Sequence, residues 1–246
     1  MDKLLDFYPE RLHKIEGNYV YNYSGLDLKS IKLRFRGTNN LLIVADEVEI
    51  MNSSFDFRAS DSVVYVGTNS LRAHILMGHG VSIYIGKGTT FTNTCNITAA
   101  EGHDILIGED CMIAEGVYVT NTDGHPIFDQ SGQRVNPGKS IHIGDHVWIG
   151  RGAEVLKGVK VHSGSIVGAK AVVTKDIPSN SVSVGNPNRV LRSDISFGRY
   201  TTVNLPEERY QKVDPPLMYG ANCLGNINRL NQIKDFQKKI APYIAV

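Results

Sequence analysis

Ile143, Ile149, Val155, Val161, Val167 and Val173 fall six residues apart without a slip. A right-handed β-solenoid or an ordinary sandwich has strands of varying length, so a strict hexad suits neither. Shorter runs keep the same spacing upstream: Ile85, Phe91 and Ile97, then Ile107, Ile113 and Val119. A second set is phased to the first. Gly88, Gly116, Gly152, Gly158 and Gly164 each lie three residues after a repeat apolar position, with Asp110 in the same slot. Glycine, and less readily Asn or Asp, takes positive φ at little cost, so a corner every six residues selects this composition. Three six-residue sides close a triangular turn of eighteen residues, and each apolar repeat residue then points inward onto its counterpart one turn away. The predicted fold is all-β, a left-handed parallel β-helix around a column of aliphatics.

The breaks in the period read as excursions from that coil. Ile107 and Ile143 are thirty-six residues apart, two whole turns, although Pro126, Pro137 and a polar stretch lie between them. A protruding loop over about 120–141 that leaves and rejoins in register explains this. Ile85 and Ile107 are twenty-two apart, which puts a small insertion near Ala99 to Asp104. Leu41 to Val48 and Ser62 to Gly67 read as less regular strands of the same stack. The predicted organisation is an N-terminal segment 1–29, a β-helix domain 30–192, and a C-terminal arm with a short helix, 193–246. Within the arm, Ser193 to Pro216 is irregular, and Ile227, Leu230, Ile233 and Phe236 give helical spacing over Asn226 to Lys239. That helix is expected to cap the open end of the stack or to pack on a neighbour.

Composition narrows the partners. Of 246 residues, 41% are hydrophobic, enough for a sizeable core. Lys plus Arg number 26 against 25 Asp plus Glu, so no global field favours nucleic acid or an anionic membrane, and an anionic ligand must be held by a local cluster. Cys95, Cys111 and Cys223 form no Cys-x-x-Cys pair, which fits a reducing compartment. The acidic start at Asp2 and Asp6 is unlike a signal peptide, and no apolar run approaches the roughly eighteen residues of a membrane span. The reading is of a soluble, cytoplasmic protein.

Two residues stand out chemically. His125 lies in Asn121-Thr122-Asp123-Gly124-His125-Pro126, polar and turn-rich, where the repeat breaks off. An imidazole ordinarily titrates near neutrality and can take a proton from an attacking hydroxyl and return one to a leaving group, with Asp123 placed to orient the ring. The plainer alternatives are a solvated loop histidine and an Asp serving as a turn-former. Trp148, the one tryptophan, comes one residue before Ile149 and so should project outward, either as a binding surface or as packing at a subunit interface.

Together the Ile-Gly hexads, HVWIG at 146–150, VGAKAVVTKDIP at 167–178 and VGNPNRV at 184–190 resemble the hexapeptide-repeat acyltransferases. Within that group, the NTDGHP loop is most similar to that of bacterial sugar and capsular polysaccharide O-acetyltransferases of the polysialic acid type. The resemblance covers about 80–192. It implies a homotrimer, acetyl-CoA bound in a cleft between neighbouring β-helices, a sugar or polysaccharide acceptor, His125 as general base, and Trp148 lining the acceptor and thioester site. By the same resemblance Arg151, Gly168, Ala169, Thr174, Lys175 and Arg189 fall on the positions that line CoA. Gly168 and Ala169 would let the pantetheine arm lie along exposed backbone as an added strand, and Lys175 and Arg189 would face its phosphates. Arg151 departs from the pattern, since many relatives carry a small residue there.

Competing functions have weaker support. His142, His146 and His162 invite comparison with the zinc-dependent γ-class carbonic anhydrases. That pattern includes two histidines five apart, whereas His142 and His146 are four apart, so no metal is expected. A non-catalytic trimeric scaffold would need neither TKDIP nor NTDGHP. A serine O-acetyltransferase would carry a long helical N-terminal domain, and a nucleotide-sugar N-acetyltransferase an N-terminal βαβ unit; neither is evident.

Overall fold

Each turn of the chain passes through three short strands in sequence. The computed structural model, which describes residues 7–27, 31–68, 70–203, 211, 215–225 and 227–243, stacks these strands into three sheets of eight, eight and seven. Residues 1–6, with the acidic start, and Asn226, the expected beginning of the helix, lie outside the described residues. The first face runs from Leu12–Ile15 and Asn18–Asn22 to Lys160–Val161, the second from Glu49–Ile50 to Arg189–Arg192, and the third from Lys32–Phe35 to Val172–Val173. The strand pairings are parallel except at the two ends, where Leu12–Ile15 pairs antiparallel with Asn18–Asn22 and Val182–Val184 with Arg189–Arg192. The chain thus forms the expected left-handed parallel β-helix.

The hexads form the core as their spacing requires. Ile143 pairs with Ile107 and Val161, Ile149 with Ile113 and Val167, and Val155 with Val119 and Val173, all buried. At the corners Gly152 and Gly164 take φ of 62° and 74°, and Asp110 in the same slot takes 55°. His146 and Lys170 fill two further slots of this phase at φ 52° and 59°. An L-residue is strained there, which accounts for the glycines at their neighbours.

Stacking begins earlier than residue 30. Asn18–Asn22 already lies parallel to Leu41–Val44. Its sequence NYVYN is buried along its whole length, and the turns it starts are longer than eighteen residues: Leu41 pairs with Val63 and Ile83 with Ile105, twenty-two apart. A hexad search misses the earliest of them, from Asn18 to Val63, and shows the turn from Ile85 to Ile107 only as a break in the period. Over the repeat the pairing settles to eighteen, as between Ile143 and Val161, and the 120–141 excursion returns in register, Ile107 opposite Ile143.

The C-terminal helix, α1 (Arg229–Ile240), does not cap the open end of the stack. It lies on the outside of the first face of its own chain, where Leu230, Ile233, Phe236 and Ile240 pack over Tyr21, Ile43, Val63, Tyr65 and Tyr84. The first-face strands LLIV, VVYV and SIYI are buried at every position, the pattern of a sheet covered on both sides. No helix among the described residues is long and apolar enough to cross a membrane.

Candidate active site

Strand register places Thr90, Met112, Trp148, Ile166 and Val182 in one outward ladder on the second face, each beside its neighbour one turn on. Along this ladder runs a groove of about 730 Å³, with Trp148 in its wall and Thr90 towards the N-terminal turns. Gly150, Arg151, Gly168 and Ala169 line it where the second face turns into the third. Trp148 is 40% exposed, as an outward ring should be. Gly168 is small for a reason internal to the coil: a Cβ there would stand 2.7 Å from Cγ1 of Val184. Arg151 is exposed, with Nε 3.6 Å from Glu115, a weak pairing in solvent.

Thr174, Lys175 and Arg189 do not line this groove. They gather at the C-terminal end of the coil around the buried Asn188. The amides of Thr174 and Lys175 donate to Oδ1 of Asn188 at 2.9 and 3.2 Å. Its Nδ2 donates to the carbonyl of Lys175 at 3.2 Å and to Ser183 Oγ at 3.1 Å. One buried amide therefore ties the Lys175 turn to the strand that begins with Arg189, and the side chains of both cations stand in solvent.

The excursion carrying His125 is held at its base. Glu101 accepts from Thr122 Oγ1 at 2.5 Å and from the Gly138 amide at 3.0 Å, and pairs with Arg134 at 2.8 Å. The Arg134 bond, then that of Thr122, lowers the Glu101 pKa to about 2. Asn136 donates through Nδ2 to Asp123 at 2.8 Å and to the His125 carbonyl at 2.9 Å, while its Oδ1 accepts from the Ile127 amide at 2.6 Å. Lys157 Nζ reaches Asp123 at 2.5 Å, which with Asn136 holds that carboxyl below its usual range. Oδ2 of Asp123 is thus bound to Lys157 and Asn136, and shapes the loop. The His125 residue is exposed.

The two ends of the proposed chemistry do not meet in one chain. The excursion leaves the third face after Tyr118–Thr120 and rejoins the first at Ile141–Ile143. That is the corner opposite the second face, which carries Trp148.

Two residues near the groove had no signal in the sequence. Past Arg192 the chain doubles back, and Phe197 stacks on His146 with ring centroids 4.1 Å apart and 6.0 Å from Trp148. Arg199 donates to the carbonyls of Asp110 and Cys111 at 2.7 and 3.1 Å and to Thr90 Oγ1 at 2.8 Å. The ring nitrogens of His146 are engaged inside the chain, Nδ1 with Asp110 at 2.6 Å and Nε2 with the Phe197 carbonyl at 3.0 Å. His142 faces outward on the first face, where burial and then Lys160 lower its pKa.

Residues 140–175 match the bacterial transferase hexapeptide (six repeats) family. The chain is similar to the polysialic acid O-acetyltransferase of Escherichia coli O1:K1, 39% identical over 139 residues, and to that of Neisseria meningitidis, 36% over 142. These alignments cover 53% and 57% of this chain and 43% and 56% of the relatives, so the chain spans about half the length of the curated relatives it matches. The crystal structure of the polysialic acid-specific acetyltransferase NeuO superposes with a TM-score of 0.66 at 35% identity, covering 71% of this chain and 82% of that one. The polysialic acid O-acetyltransferase OatWY gives 0.57 at 26%, covering 73% and 96%.

Proposed function

Since the chain belongs to the bacterial hexapeptide-repeat transferases, we propose that it moves an acetyl group from acetyl-CoA to a hydroxyl of a sugar or capsular polysaccharide, with His125 as general base. The acceptor class follows the relatives, which act on polysialic acid.

The observation that carries the reading is the exposed His125 on a loop held by Thr122, Asp123, Arg134 and Asn136 through Glu101 and Lys157. A fixed backbone with an open imidazole suits proton transfer, because the base must sit within hydrogen-bond reach of the hydroxyl it deprotonates. The acceptor hydroxyl gives its proton to the ring as its oxygen attacks the thioester carbonyl. The C–S bond then breaks, and the imidazolium returns the proton to the CoA sulfur.

His125 and Trp148 serve one reaction only if the loop corner of one copy meets the second face of the next. Ile127, Phe128 and Val135 beside His125 are more than half exposed, an apolar edge that a neighbouring copy would cover. Repeated around an axis, that contact closes a homotrimer with three shared clefts. Acetyl-CoA would lie with pantetheine along Gly168 and Ala169 and its phosphates towards Lys175 and Arg189, with Thr174 alongside; Arg151, held loosely by Glu115, borders the same path.

The test is His125→Ala, assayed with labelled acetyl-CoA and a panel of free sugars, sialic acid polymers, capsule oligosaccharides and serine. Turnover should fall about a hundred- to ten-thousand-fold with acetyl-CoA binding intact. Retention of more than about a tenth, with chemistry rate-limiting, would reduce His125 to a binding residue.

A further inference from the structure

The outside of the third face is strongly basic where the face begins. Its first two strands, Lys32–Phe35 and Ser54–Phe57, and the residues directly after them carry Lys32, Arg34, Arg36 and Arg58 against a single acid, Asp56. The arginine side chains are at least half exposed, and all three share that carboxylate: Arg58 at 3.2 Å, Arg36 at 3.6 Å and Arg34 at 4.0 Å. Only the Arg58 contact is a hydrogen bond, and Oδ1 of Asp56 has no hydrogen-bond partner. Phe35 pairs with Phe57, so Arg36 and Arg58, the next residues, stand side by side about 4.8 Å apart in the sheet. Like charges in adjacent strands repel, and a bound anion would offset that cost. From Arg58 the same corner of the coil leads, one turn at a time, through Gly78 and Ala100 to Thr122, by the pairing of Phe57 with Met77, Met77 with Ala99 and Thr98 with Thr120. Those three steps span about 14 Å. Thr122 opens the loop that carries His125, and the two positions between offer only a hydrogen and a methyl group, which leaves a shallow track. Acids beside the track are engaged already, Glu101 by Thr122, Gly138 and Arg134, and Asp61 by Asn39, with His79 at 3.7 Å.

We propose that Arg34, Arg36 and Arg58 form an anchoring site for an acidic polysaccharide, holding its carboxylates several sugar units away from the hydroxyl that His125 deprotonates. The inference rests on the acetyl-transfer reading above and adds to it the charge of the acceptor. None of the three arginines lies within 80–192, the stretch whose motifs resemble the acyltransferases. A guanidinium presents paired N–H donors that match a carboxylate. Each such contact is weak in solvent, but a polymer with a carboxylate on every unit makes several through one chain. A single-stranded nucleic acid fits less well, because it needs aromatic platforms, and the outward positions between the arginines and the loop include His74, Leu76, Asn96 and Thr98 with no Phe, Tyr or Trp among them.

The full-length protein would be titrated, without donor, with a long sialic acid polymer, a short oligomer of it, the same polymer with its carboxylates reduced to alcohols, and a single-stranded oligonucleotide. KM and kcat would then be measured for the saccharides and for acetyl-CoA. Arg36→Gln/Arg58→Gln should weaken long-polymer binding and raise its KM about three- to twentyfold, the summed worth of two exposed charge contacts. The same variant should leave kcat, acetyl-CoA affinity and the KM of the short oligomer within about twofold. Wild type should bind the reduced polymer as weakly as the variant binds the native one. Arg36→Lys/Arg58→Lys, which keeps the charge and loses the fork, should fall between. Added salt should cost wild type more polymer affinity than it costs the Gln variant. The proposal is overturned if wild type does not bind the polymer, if the Gln variant loses long and short acceptors alike, if carboxylate reduction changes nothing, or if the oligonucleotide binds as tightly as the polymer. Polymer binding that needs the arginines and the carboxylates, with no acetyl transferred to any acceptor, would instead sink the acetyl-transfer reading and leave the anchor standing.

Discussion

The turns before the excursion and those after it build the same inward column by different means. Before it, a turn is commonly twenty-two residues long, and corners at positive φ fall on Asn39, Glu47, Asn52 and Asp61 as well as on Gly80, Gly88 and Gly116. A buried ladder stiffens one edge: Asn18 Oδ1 accepts from Asn40 Nδ2 at 2.9 Å, and Asn40 Oδ1 from the Ser62 amide at 3.0 Å. The first face there is closed on its outside by α1, with Tyr65 and Tyr84 stacked 5.0 Å apart beneath it. After the excursion the turns are eighteen residues long up to Ile166, which pairs sixteen residues on with Val182, corners fall mostly on glycine, and outward positions such as Lys160 and Glu154 meet solvent. One half spends the outside of its first face on stability. The other, with its regular period, supplies Trp148, Gly150, Arg151, Gly168 and Ala169 to a groove whose far end lies on the earlier turns at Thr90 and Thr92.

Removing α1 tests this division most severely. With the apolar first face uncovered, amide exchange should accelerate strongly at Leu41–Val44 and Val63–Val66 and little at Lys160–Val161. Equal loss in both halves would show that the helix supports the whole coil rather than its early turns. Single truncations of the shared column should cost the two halves alike. Leu42→Ala and Ile149→Ala, both fully buried, should each lose about 2–5 kcal/mol in denaturant unfolding. A large difference would mean that the two halves pack to different density.

Corners should separate the halves by a smaller margin. Gly152→Ala places a β-carbon at φ 62°, and the nearest atom it meets is the flexible end of Lys170, so the cost is backbone strain of about 1–3 kcal/mol. Gly152→Asn should cost less, since Asn already takes this conformation at Asn39 and Asn52. If the two substitutions were equally costly, the corners of the repeat would demand glycine for a reason other than φ.

The smallest effect is at the junction itself. The Glu101 pKa is depressed from 4.5 to about 2 in the folded chain, so its contribution is fully present above the upper value and lost as pH falls from there towards the lower. Glu101→Gln should flatten that part of the acid profile of Tm and speed proteolysis of the 120–141 loop at neutral pH. A profile unchanged by the substitution would mean that Arg134 and Thr122 hold the loop without the carboxylate.

What the sequence made readable was whatever repeats. The inward column, the glycine corners, the in-register excursion and the outward Trp148 all follow from a spacing of six. The longer turns starting at Asn18 do not, because insertions of varying size erase the period while leaving the pairing intact. The lining of the groove was legible where it lies on the coil, as for Trp148, Gly168 and Ala169. It was hidden where partners are distant: Lys157 is 34 residues from Asp123, and Arg199 is 109 from Thr90. The runs LLIV, VVYV and SIYI did hold a readable hint, since strands apolar at every position need cover on both sides.

That cover arrives late. Leu106 and the strands before it are synthesised more than a hundred residues ahead of Arg229, the first residue of α1. At about 5–20 residues per second, a ribosome takes roughly ten seconds to cross that gap. Throughout it, a row of Tyr, Leu, Ile and Val side chains on the nascent coil faces water. A chaperone that binds apolar strips on emerging chains should engage this protein during that interval and release it once the helix has docked.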